Sequence, residues 1–276
     1  MTADLHMHTT DSDGREGPRS LFERAHEKGL DYIAITDHDV CKSVDEHRCL
    51  ADIYGVGYIP GIELSTLYKD KTVHVLGYFT DESHASESMK AYYERIKNDR
   101  ETRAKKFIEN LKHYHDIVIN YEQLVRLSGG VIARPHIGQA IIEHYPQYTH
   151  DEVFEQFIGN HTKAYVPSSE LPTEEGIRFL KRHNAVVVLA HPVLLKPAIH
   201  DEVLALDFDG IEAVYSQNSE ADTARYLAFA KRRGMLHTAG SDFHGIENDS
   251  SHGEVGEVTL KGEALERFLK ALGINL

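Results

Sequence analysis

DLHMHTTDSDG, residues 4–14, is the stretch that points most directly to a fold and to a site. Asp4, His6 and His8 alternate, so in a β-strand their side chains face the same side, because successive residues of a strand point to opposite faces. Two imidazoles on one strand face can hold one divalent metal ion. The stretch therefore predicts a first strand that presents metal ligands on one face.

Short apolar runs alternate with amphipathic segments outward from this strand, a pattern that predicts βα units and a mainly parallel sheet. A helix is predicted from about residue 18 to residue 28, and the predicted strands are residues 3–6, 32–36, 58–63, 73–79, 186–190, 210–215, 236–240 and 257–260. At 276 residues the chain has the usual length of a single α/β barrel. We expect the barrel to be formed by residues 1–81 and 171–276.

The alternation stops between residues 82 and 170, where helical patterns follow one another. They cover residues 89–115, 121–127, 135–143 and 152–158. Thr149 followed by Glu152 is typical of a capping box, which marks the start of a helix. Residues 82–170 are therefore predicted to be a helical insertion, which we expect to stand over the mouth of the barrel.

Composition excludes several classes of partner. Lys and Arg total 30 against 44 Asp and Glu, a formal charge of −14, so extended nucleic-acid binding is not expected. Cys41 and Cys49 form no disulfide framework, and no apolar run approaches a membrane span. The first strand begins without a basic and apolar leader, so no signal peptide is expected. We expect a cytoplasmic protein with no membrane partner, and the oligomeric state stays open.

With His6 and His8, nine positions in the chain carry residues that ligate metals, and almost all lie at or just beyond the end of a predicted strand. A single such residue is usually structural, but α/β barrels assemble their active sites at the carboxyl ends of the strands. Convergence of the whole set therefore predicts one polynuclear metal centre. The candidate ligands are His6, His8, Asp13, His38, Glu63, His74, His191, Asp242 and His244.

The segments DLHMH, SDG, ITDHD, IPGIELS, VHVLGY, AHP and GSDFHG resemble, in this order, the motifs of the polymerase and histidinol phosphatase (PHP) family. The resemblance implies a distorted (β/α)₇ TIM-like barrel with two or three divalent ions, Mn²⁺, Fe²⁺ or Zn²⁺. It assigns His6, His8, Glu63 and Asp242 to one ion, with Glu63 bridging to a second. His74 and His191 would complete the second site. The third would be held by Asp13, His38 and His244.

The resemblance also implies metal-dependent hydrolysis of a phosphoester. Water that bridges two divalent ions is acidified enough to attack phosphorus as hydroxide. His38 and His191 are the candidates for passing a proton to the leaving group, although metal ligation would compete with that role. Asp4, Asp37 and Asp39 either orient the ligating histidines or cap loop amides, and the sequence leaves both open.

Arg134 and His136, in the segment ARPH of the insertion, are candidate substrate-binding residues. They stand at a predicted helix start, where free backbone amides favour an anion, and an arginine adds a bidentate clamp for phosphate. Related PHP phosphatases carry a similar segment, which favours contact with the substrate phosphate. A structural salt bridge is the alternative.

Among PHP proteins the chain most resembles phosphatases of 3′,5′-nucleoside bisphosphates, which release inorganic phosphate from a small phosphorylated substrate. A cyclic phosphodiesterase acting on a sugar or nucleotide cyclic phosphate is the first alternative. A histidinol-phosphate phosphatase is the next, followed by a polymerase-associated PHP nuclease or structural module. A hydrolase acting on a carbonyl stays open as well, because the same metal chemistry serves both reactions.

Overall fold

Strands and helices alternate in the amino-terminal part of the computed structural model, which describes residues 1–128, 132, 134–167, 169–247, 249 and 251–274. The elements here are β1 (Thr2–Asp4), α1 (Pro18–Glu27), β2 (Tyr32–Ile35), α2 (Val44–Tyr54), β3 (Gly57–Tyr68) and β4 (Lys71–Phe79), followed by a 3₁₀ turn, Glu82–Ala85. Leu21, Phe22 and Ala25 form the buried face of α1 and share a core cluster with Ile33 and Ile35 of β2. Their spacing follows the helical period, so one face of α1 is apolar.

Helices alone follow in the middle of the chain. They are α3 (Glu87–His115), α4 (Tyr121–Ser128), α5 (Arg134–His144) and α6 (His150–Val153), which continues as a π-helical turn, Phe154–Ile158. The capping box predicted at the start of the last helix is present: Thr149 accepts from the Glu152 amide, and the Glu152 carboxylate accepts from that of Thr149. Phe107, Leu111 and Ile141 belong to the buried core of these helices.

The alternation resumes after the helices. The elements are β5 (Leu171–Pro172), α7 (Thr173–Arg182), β6 (Ala185–Leu189), a 3₁₀ turn (Pro192–Leu194), α8 (His200–Leu204), β7 (Gly210–Tyr215), α9 (Glu220–Arg233), β8 (Leu236–Gly240), β9 (Leu260–Lys261) and α10 (Gly262–Ala271). The described chain divides into two compact units, Met1–Lys90 with Glu170–Leu276, and Ala91–Ser169. Residues 82–90, which the sequence groups with the insertion, belong to the first unit. None of the described helices is both long and apolar enough to span a bilayer.

The strands form one sheet in the order β8-β7-β6-β4-β3-β2-β1-β9, with β5 paired to β3. Beyond β1 the chain also meets β8, since the Leu5 amide donates to the Ala239 carbonyl at 3.2 Å. Just past the end of β8, the Asp242 amide donates to the His6 carbonyl at 2.8 Å. These bonds join the segment that follows β1 to β8 and the residues just after it, so the sheet is nearly closed. The predicted α/β barrel of distorted TIM-like type is confirmed.

Several strand boundaries and one strand direction differ from the prediction. β1 ends at Asp4 and not at residue 6, and β9 is Leu260–Lys261 and not residues 257–260. β3 does not end at Glu63 but continues to Tyr68, and β4 runs antiparallel to both β3 and β6. The two strands join through Lys69 and Asp70, whose φ angles are 48° and 61°. Two positive φ values make a tight hairpin turn, for which Asn-Gly is the usual signal and Lys-Asp is not. The sequence therefore carries no turn signal from which this hairpin could be predicted.

Helix α10 packs against the core of the barrel. The Tyr78 hydroxyl, fully buried, donates to the Leu5 carbonyl at 2.8 Å. The ring of Phe268 meets that of Tyr78 edge to face, with 5.0 Å between centroids, and Leu265 and Leu269 complete the buried side of α10. Edge-to-face packing adds to the apolar area that the helix removes from water.

Phe268→Ala is expected to lower the free energy of unfolding by about 3–5 kcal/mol, because it leaves a cavity under the barrel. Urea denaturation followed by circular dichroism measures this loss. Glu266→Ala, an exposed position on the same helix, is the matched control and should change stability by less than about 0.5 kcal/mol. A loss at Phe268 no larger than that of the control would contradict the packing described.

Candidate metal centre

The segment that follows β1 holds the first two ligands in place. The Thr36 amide donates to the Met7 carbonyl at 2.9 Å, and the His8 amide donates to that of Phe243 at 2.9 Å. The chain thus stays extended between its two neighbours, and Leu5 and Met7 point into the core. His6 and His8 point the other way, with their Nε2 atoms 3.2 Å apart. The alternation read in the sequence is therefore present in the structure.

A first group of ligands gathers around these two rings: His6, His8, Glu63 and Asp242. Asp242 Oδ1 lies 3.2 Å from His6 Nε2 and 3.0 Å from His8 Nε2. Glu63 Oε2 lies 3.4 Å and 3.3 Å from the same two nitrogens. All four side chains are buried. These are the four residues that the family resemblance assigns to one ion.

The other oxygen of Glu63 serves a second group. Glu63 Oε1 lies 3.0 Å from His74 Nδ1 and 3.0 Å from His191 Nε2. Glu63 is therefore placed between two sets of imidazoles, one for each oxygen, as a bridging carboxylate would be. His38 Nδ1 lies 3.1 Å from Glu63 Oε2, the oxygen of the first group, and His38 also forms a group with Glu63 and His74.

A third group contains His8, Asp13, His38 and His244. Asp13 Oδ1 lies 3.4 Å from His244 Nε2, and Asp13 Oδ2 lies 3.7 Å from His38 Nε2. The side chain of Asp13 is 21 % accessible to solvent. The structure thus adds His8 to the predicted third set, because His8 Nδ1 lies 3.7 Å from Asp13 Oδ1.

The donor set fits divalent metal ions. His8 Nδ1, His38 Nδ1 and Asp242 Oδ1 are buried, and within the described part of the chain no hydrogen bond satisfies them. Buried polar atoms of this kind are costly unless they are paired or coordinate a metal. Imidazole nitrogen and carboxylate oxygen together suit Zn²⁺, Mn²⁺ and Fe²⁺.

The charges of the site favour ionised carboxylates. Burial opposes ionisation of Glu63, but His38, His74 and His6 hold the pKa of its carboxyl well below its ordinary value. Burial likewise opposes ionisation of Asp242, and His6 and His8 keep its pKa low. Burial lowers the pKa of His38 to about 3, so its ring is neutral at pH 7. Metal binding requires deprotonated ligands, and Glu63, Asp242 and His38 meet that requirement. Against the effect of burial, Glu63 and Asp242 raise the pKa of His8 to about 10 and that of His6 above its ordinary value, so these two rings would release protons when a metal binds.

Glu212 is a functional residue that the sequence reading missed. Its Oε1 accepts from His6 Nδ1 at 3.0 Å, and its Oε2 accepts from the His191 amide at 2.8 Å. The carboxylate therefore orients one ligating ring and the backbone of another, as partners of metal ligands commonly do. A signal was available, because Glu212 is a lone charge in the otherwise buried apolar strand GIEAVY, β7.

The sequence left two roles open for Asp4, Asp37 and Asp39. In the structure their carboxylates accept hydrogen bonds from loop amides. Asp4 accepts from the amides of Ser241 and Gly256 at 3.0 and 2.9 Å. Asp37 accepts from the Thr9 amide at 2.8 Å, and Asp39 from the Ser65 amide at 2.8 Å. Capping of amides, one of the two alternatives, is what these contacts show. They hold the loops that carry His6, His38 and Asp242.

Backbone strain and close packing accompany the ligands. His191 has φ 23° and Asp242 has φ 56°, values that L-residues rarely adopt and that cluster at functional sites. Gly240 leaves room for His6, since a Cβ built on Gly240 would lie 2.3 Å from His6 Cβ. Only glycine permits this approach, so the end of β8 fixes the position of a ligand.

Arg134 and His136 lie in the other compact unit, at the start of α5. Arg134 donates a hydrogen bond to the Asn160 side chain, and its guanidinium lies over the ring of Tyr165 at 5.5 Å. His136 is half-buried two residues further on. Both of these contacts of Arg134 are with residues of its own unit, and a role of either residue in substrate binding stays a prediction.

The fold and the ligand groups define a metal-dependent hydrolase built on an α/β barrel. The family model of the PHP domain matches residues 4–166, more than half of the chain. The chain therefore belongs to the PHP family.

Relatives of the chain carry three different descriptions. Over 250 residues, 87% of the chain and 84% of the relative, it is 29% identical to the 5′-3′ exoribonuclease Rnm of Salmonella typhimurium. It is 26% identical over 251 residues to the 3′,5′-nucleoside bisphosphate phosphatase of Chromobacterium violaceum, covering 87% of the chain and 86% of that protein. It is 25% identical over 250 residues to the phosphoribosyl 1,2-cyclic phosphate 1,2-diphosphodiesterase of Eggerthella lenta, covering 89% and 95%.

Among solved structures, the chain is similar to one from Bifidobacterium adolescentis described as a metal-dependent phosphoesterase. The TM-score is 0.79 at 28% identity, with 98% of this chain and 96% of that chain covered. Family, relatives and fold agree, and the protein is a metal-dependent phosphoesterase.

Glu212→Gln is expected to weaken Mn²⁺ binding about 10–100-fold, because it removes the charge that holds the His6 ring. Isothermal titration of the metal-stripped protein measures this affinity. Glu266→Gln, the same change at an exposed position, should leave the affinity unchanged. Equal affinities in both variants would show that Glu212 does not support the centre.

Proposed function

We propose that the protein releases inorganic phosphate from small phosphorylated nucleotides, with a 3′,5′-nucleoside bisphosphate as substrate. The observation that carries the proposal is the overlap of four possible ligand groups, which share His8, His38, Glu63, Asp242 and His244 with one another. Such a centre suits transfer of a phosphoryl group to water. The relative from Chromobacterium violaceum, named for this substrate class, supports the finer assignment.

Each part of the chemistry has residues to perform it. The three ligand groups would hold two or three divalent ions, which when bound neutralise phosphoryl oxygens and lower the pKa of water. Glu63, ionised and buried, keeps five imidazoles in place around it. His38 and His191 touch Glu63 and are partly accessible, at 14 % and 10 %. Both are the predicted candidates for delivering a proton to the leaving oxygen, and the low pKa of His38, which leaves its ring neutral at pH 7, favours His191.

Stepwise removal of nucleotides from the 5′ end of short RNA is a second candidate. The observation that favours it is the 29% identity to an exoribonuclease over 87% of the chain. The formal charge of −14 disfavours a long contact with a polyanion, but the end of a short RNA requires few contacts. Hydrolysis of a cyclic phosphate, supported by the Eggerthella lenta relative, is a weaker candidate at 25% identity.

Purified protein with Mn²⁺ is expected to release phosphate from adenosine 3′,5′-bisphosphate, and chelation of the metal should abolish release. His6→Ala and Asp242→Ala should each lower kcat/KM at least about 100-fold, because each removes a ligand of the first group. His26→Ala and Asp52→Ala are matched controls at exposed positions of the same unit. Control-like rates in either ligand variant would overturn the assignment of the centre.

A substrate panel separates the candidate functions. It contains the bisphosphate, a ribose 1,2-cyclic phosphate, histidinol phosphate, and 5′-phosphorylated RNA of two to ten nucleotides. The highest kcat/KM on the bisphosphate supports the proposal. Higher values on the RNA, with mononucleotides as products, would replace it with the second candidate.

Arg134→Ala is expected to lower kcat/KM on the bisphosphate at least about 10-fold, with a smaller loss on 4-nitrophenyl phosphate, because an arginine clamp recognises a second phosphate. Arg134→Lys keeps the charge but loses the bidentate geometry, so it should restore only part of the rate. Arg126→Ala, an exposed arginine of the same unit, is the control. Equal losses on both substrates would remove the proposed role.

A further inference from the structure

We propose that Arg24 is a positioning residue of the third ligand group, because it ties together the two loops that bring Asp13 and His244 side by side. The first loop is residues 9–16, between β1 and α1, and the second is residues 241–245, directly after β8. Arg24 lies in α1, outside both loops and outside every segment that carries the family resemblance. Its role concerns the metal centre alone, whichever phosphoester is the substrate.

The third ligand group depends on loops more than the other two groups do. Glu63 lies within β3 and His74 within β4, so the sheet itself holds these ligands. Asp13 instead lies in the first loop, and its side chain is partly accessible to solvent. Asp13 Oδ1 and His244 Nε2 are 3.4 Å apart, although they come from different loops. This separation is kept only if the two loops are fixed to each other.

The end of the first loop contacts the second loop directly. The Thr10 amide donates to the Glu16 carbonyl at 3.0 Å, which closes the first loop, and the Arg15 amide donates to the His244 carbonyl at 2.8 Å. A Cβ built on Gly245 would lie 3.0 Å from Glu16 Cγ, so the Glu16 side chain packs against the second loop. The position of Glu16 therefore affects the distance between the loops.

Arg24 binds the carboxylate of Glu16 through two hydrogen bonds. Arg24 Nε donates to Glu16 Oε2 at 3.0 Å, and Nη2 donates to Oε1 at 2.7 Å. The Ser20 hydroxyl donates to the same carboxylate. An isolated ion pair on a surface contributes little, but a bidentate pair fixes both the position and the plane of the carboxylate. The Glu16 side chain is only 24 % accessible, so it has little freedom to leave this arrangement.

The same guanidinium reaches the second loop. It lies over the ring of Phe243, 5.4 Å from the centroid, and Phe243 directly precedes His244 in the chain. A cation over an aromatic face is attracted by the ring, and Phe243 is itself buried. Arg24 Nη1 also donates to Glu254 at 3.4 Å, a longer contact between exposed groups. One side chain thus contacts both loops close to the ligands that they carry.

A purely structural role for Arg24 makes a different prediction. Arg24 is in the last turn of α1, where a cation also interacts favourably with the helix dipole. That interaction depends on charge, so a lysine retains it. The contacts with Glu16 and Phe243 depend on the planar fork of the guanidinium, which a lysine lacks. Arg24→Lys therefore separates support of the helix from support of the ligand group.

The test titrates Mn²⁺ into the metal-stripped protein and resolves its binding sites by isothermal titration calorimetry. Asp13→Ala identifies the ion of the third group, because it removes one ligand of that group alone. Arg24→Ala is expected to weaken this ion about 10-fold, the lower end for residues that support a ligand, and to leave the other ions within about 2-fold. Arg24→Lys should lie between Arg24→Ala and wild type, and Arg19→Ala, at an exposed position of the same helix, should match wild type.

Glu16→Gln provides an independent check. It should weaken the same ion to a similar degree, and the double variant with Arg24→Ala should add little, because the two side chains form one contact. Thermal unfolding of metal-free Arg24→Lys, followed by circular dichroism, should give a melting temperature within about 3 °C of wild type.

Three results would overturn the role of Arg24. The first is an equal loss of affinity for every ion in Arg24→Ala, which would indicate general destabilisation. The second is wild-type affinity for the third ion in Arg24→Ala or in Glu16→Gln. The third is an Asp13→Ala variant that loses no ion, since the third group would then hold none. These measurements involve no phosphoester, so their failure would leave the proposed function untouched.

Discussion

The carboxylate of Glu63 lies among imidazole rings on both sides, and the rest of the centre depends on it. Its two oxygens lie 3.0–3.4 Å from nitrogens of His6, His8, His38, His74 and His191. A buried charge is tolerated only when it is paired, and here the five partners come from four separate segments of the chain. The barrel must therefore bring these segments to one point, and every strand that carries a ligand is constrained by the position of one side chain.

β3 meets this constraint by changing partners along its length. Its first half pairs in parallel with β2, and its second half pairs antiparallel with β4. At the change, the Glu63 amide donates to the Asp37 carbonyl at 3.2 Å and the Asp39 amide donates to the Glu63 carbonyl at 2.9 Å, which fixes His38 beside Glu63. In the hairpin, Ser65 is opposite His74, so His74 is diagonal to Glu63 on one face. One strand thus gathers ligands from both of its neighbours.

Much of this could be predicted from the sequence, for a local reason. Alternation fixes the common side of His6 and His8, and the periodic apolar runs fix β7 and β8 to the residue, because both signals are local. The hairpin at Lys69 could not be predicted, because its turn lacks the usual turn residues and is stabilised by the pairing of β3 with β4. Glu212 was missed because its partner is distant in sequence: its contact with His6 spans 206 residues. Only the closed sheet brings such pairs together.

Glu212 and Asp249 each orient a histidine through its Nδ1. Each carboxylate accepts a hydrogen bond from that nitrogen, which directs the opposite nitrogen, Nε2, toward a defined place. For His6 that place is the first ligand group, where Glu63 and Asp242 lie within 3.4 Å. For His252 it is the other oxygen of Asp242, 3.8 Å away, and Asp242, His244 and His252 form a further group that could hold a metal ion. Two carboxylates outside the ligand groups therefore direct imidazole nitrogens toward Asp242. In a chain of charge −14, an anionic substrate gains attraction only where bound cations outweigh the carboxylates, so the ligand groups are where a phosphate would be drawn.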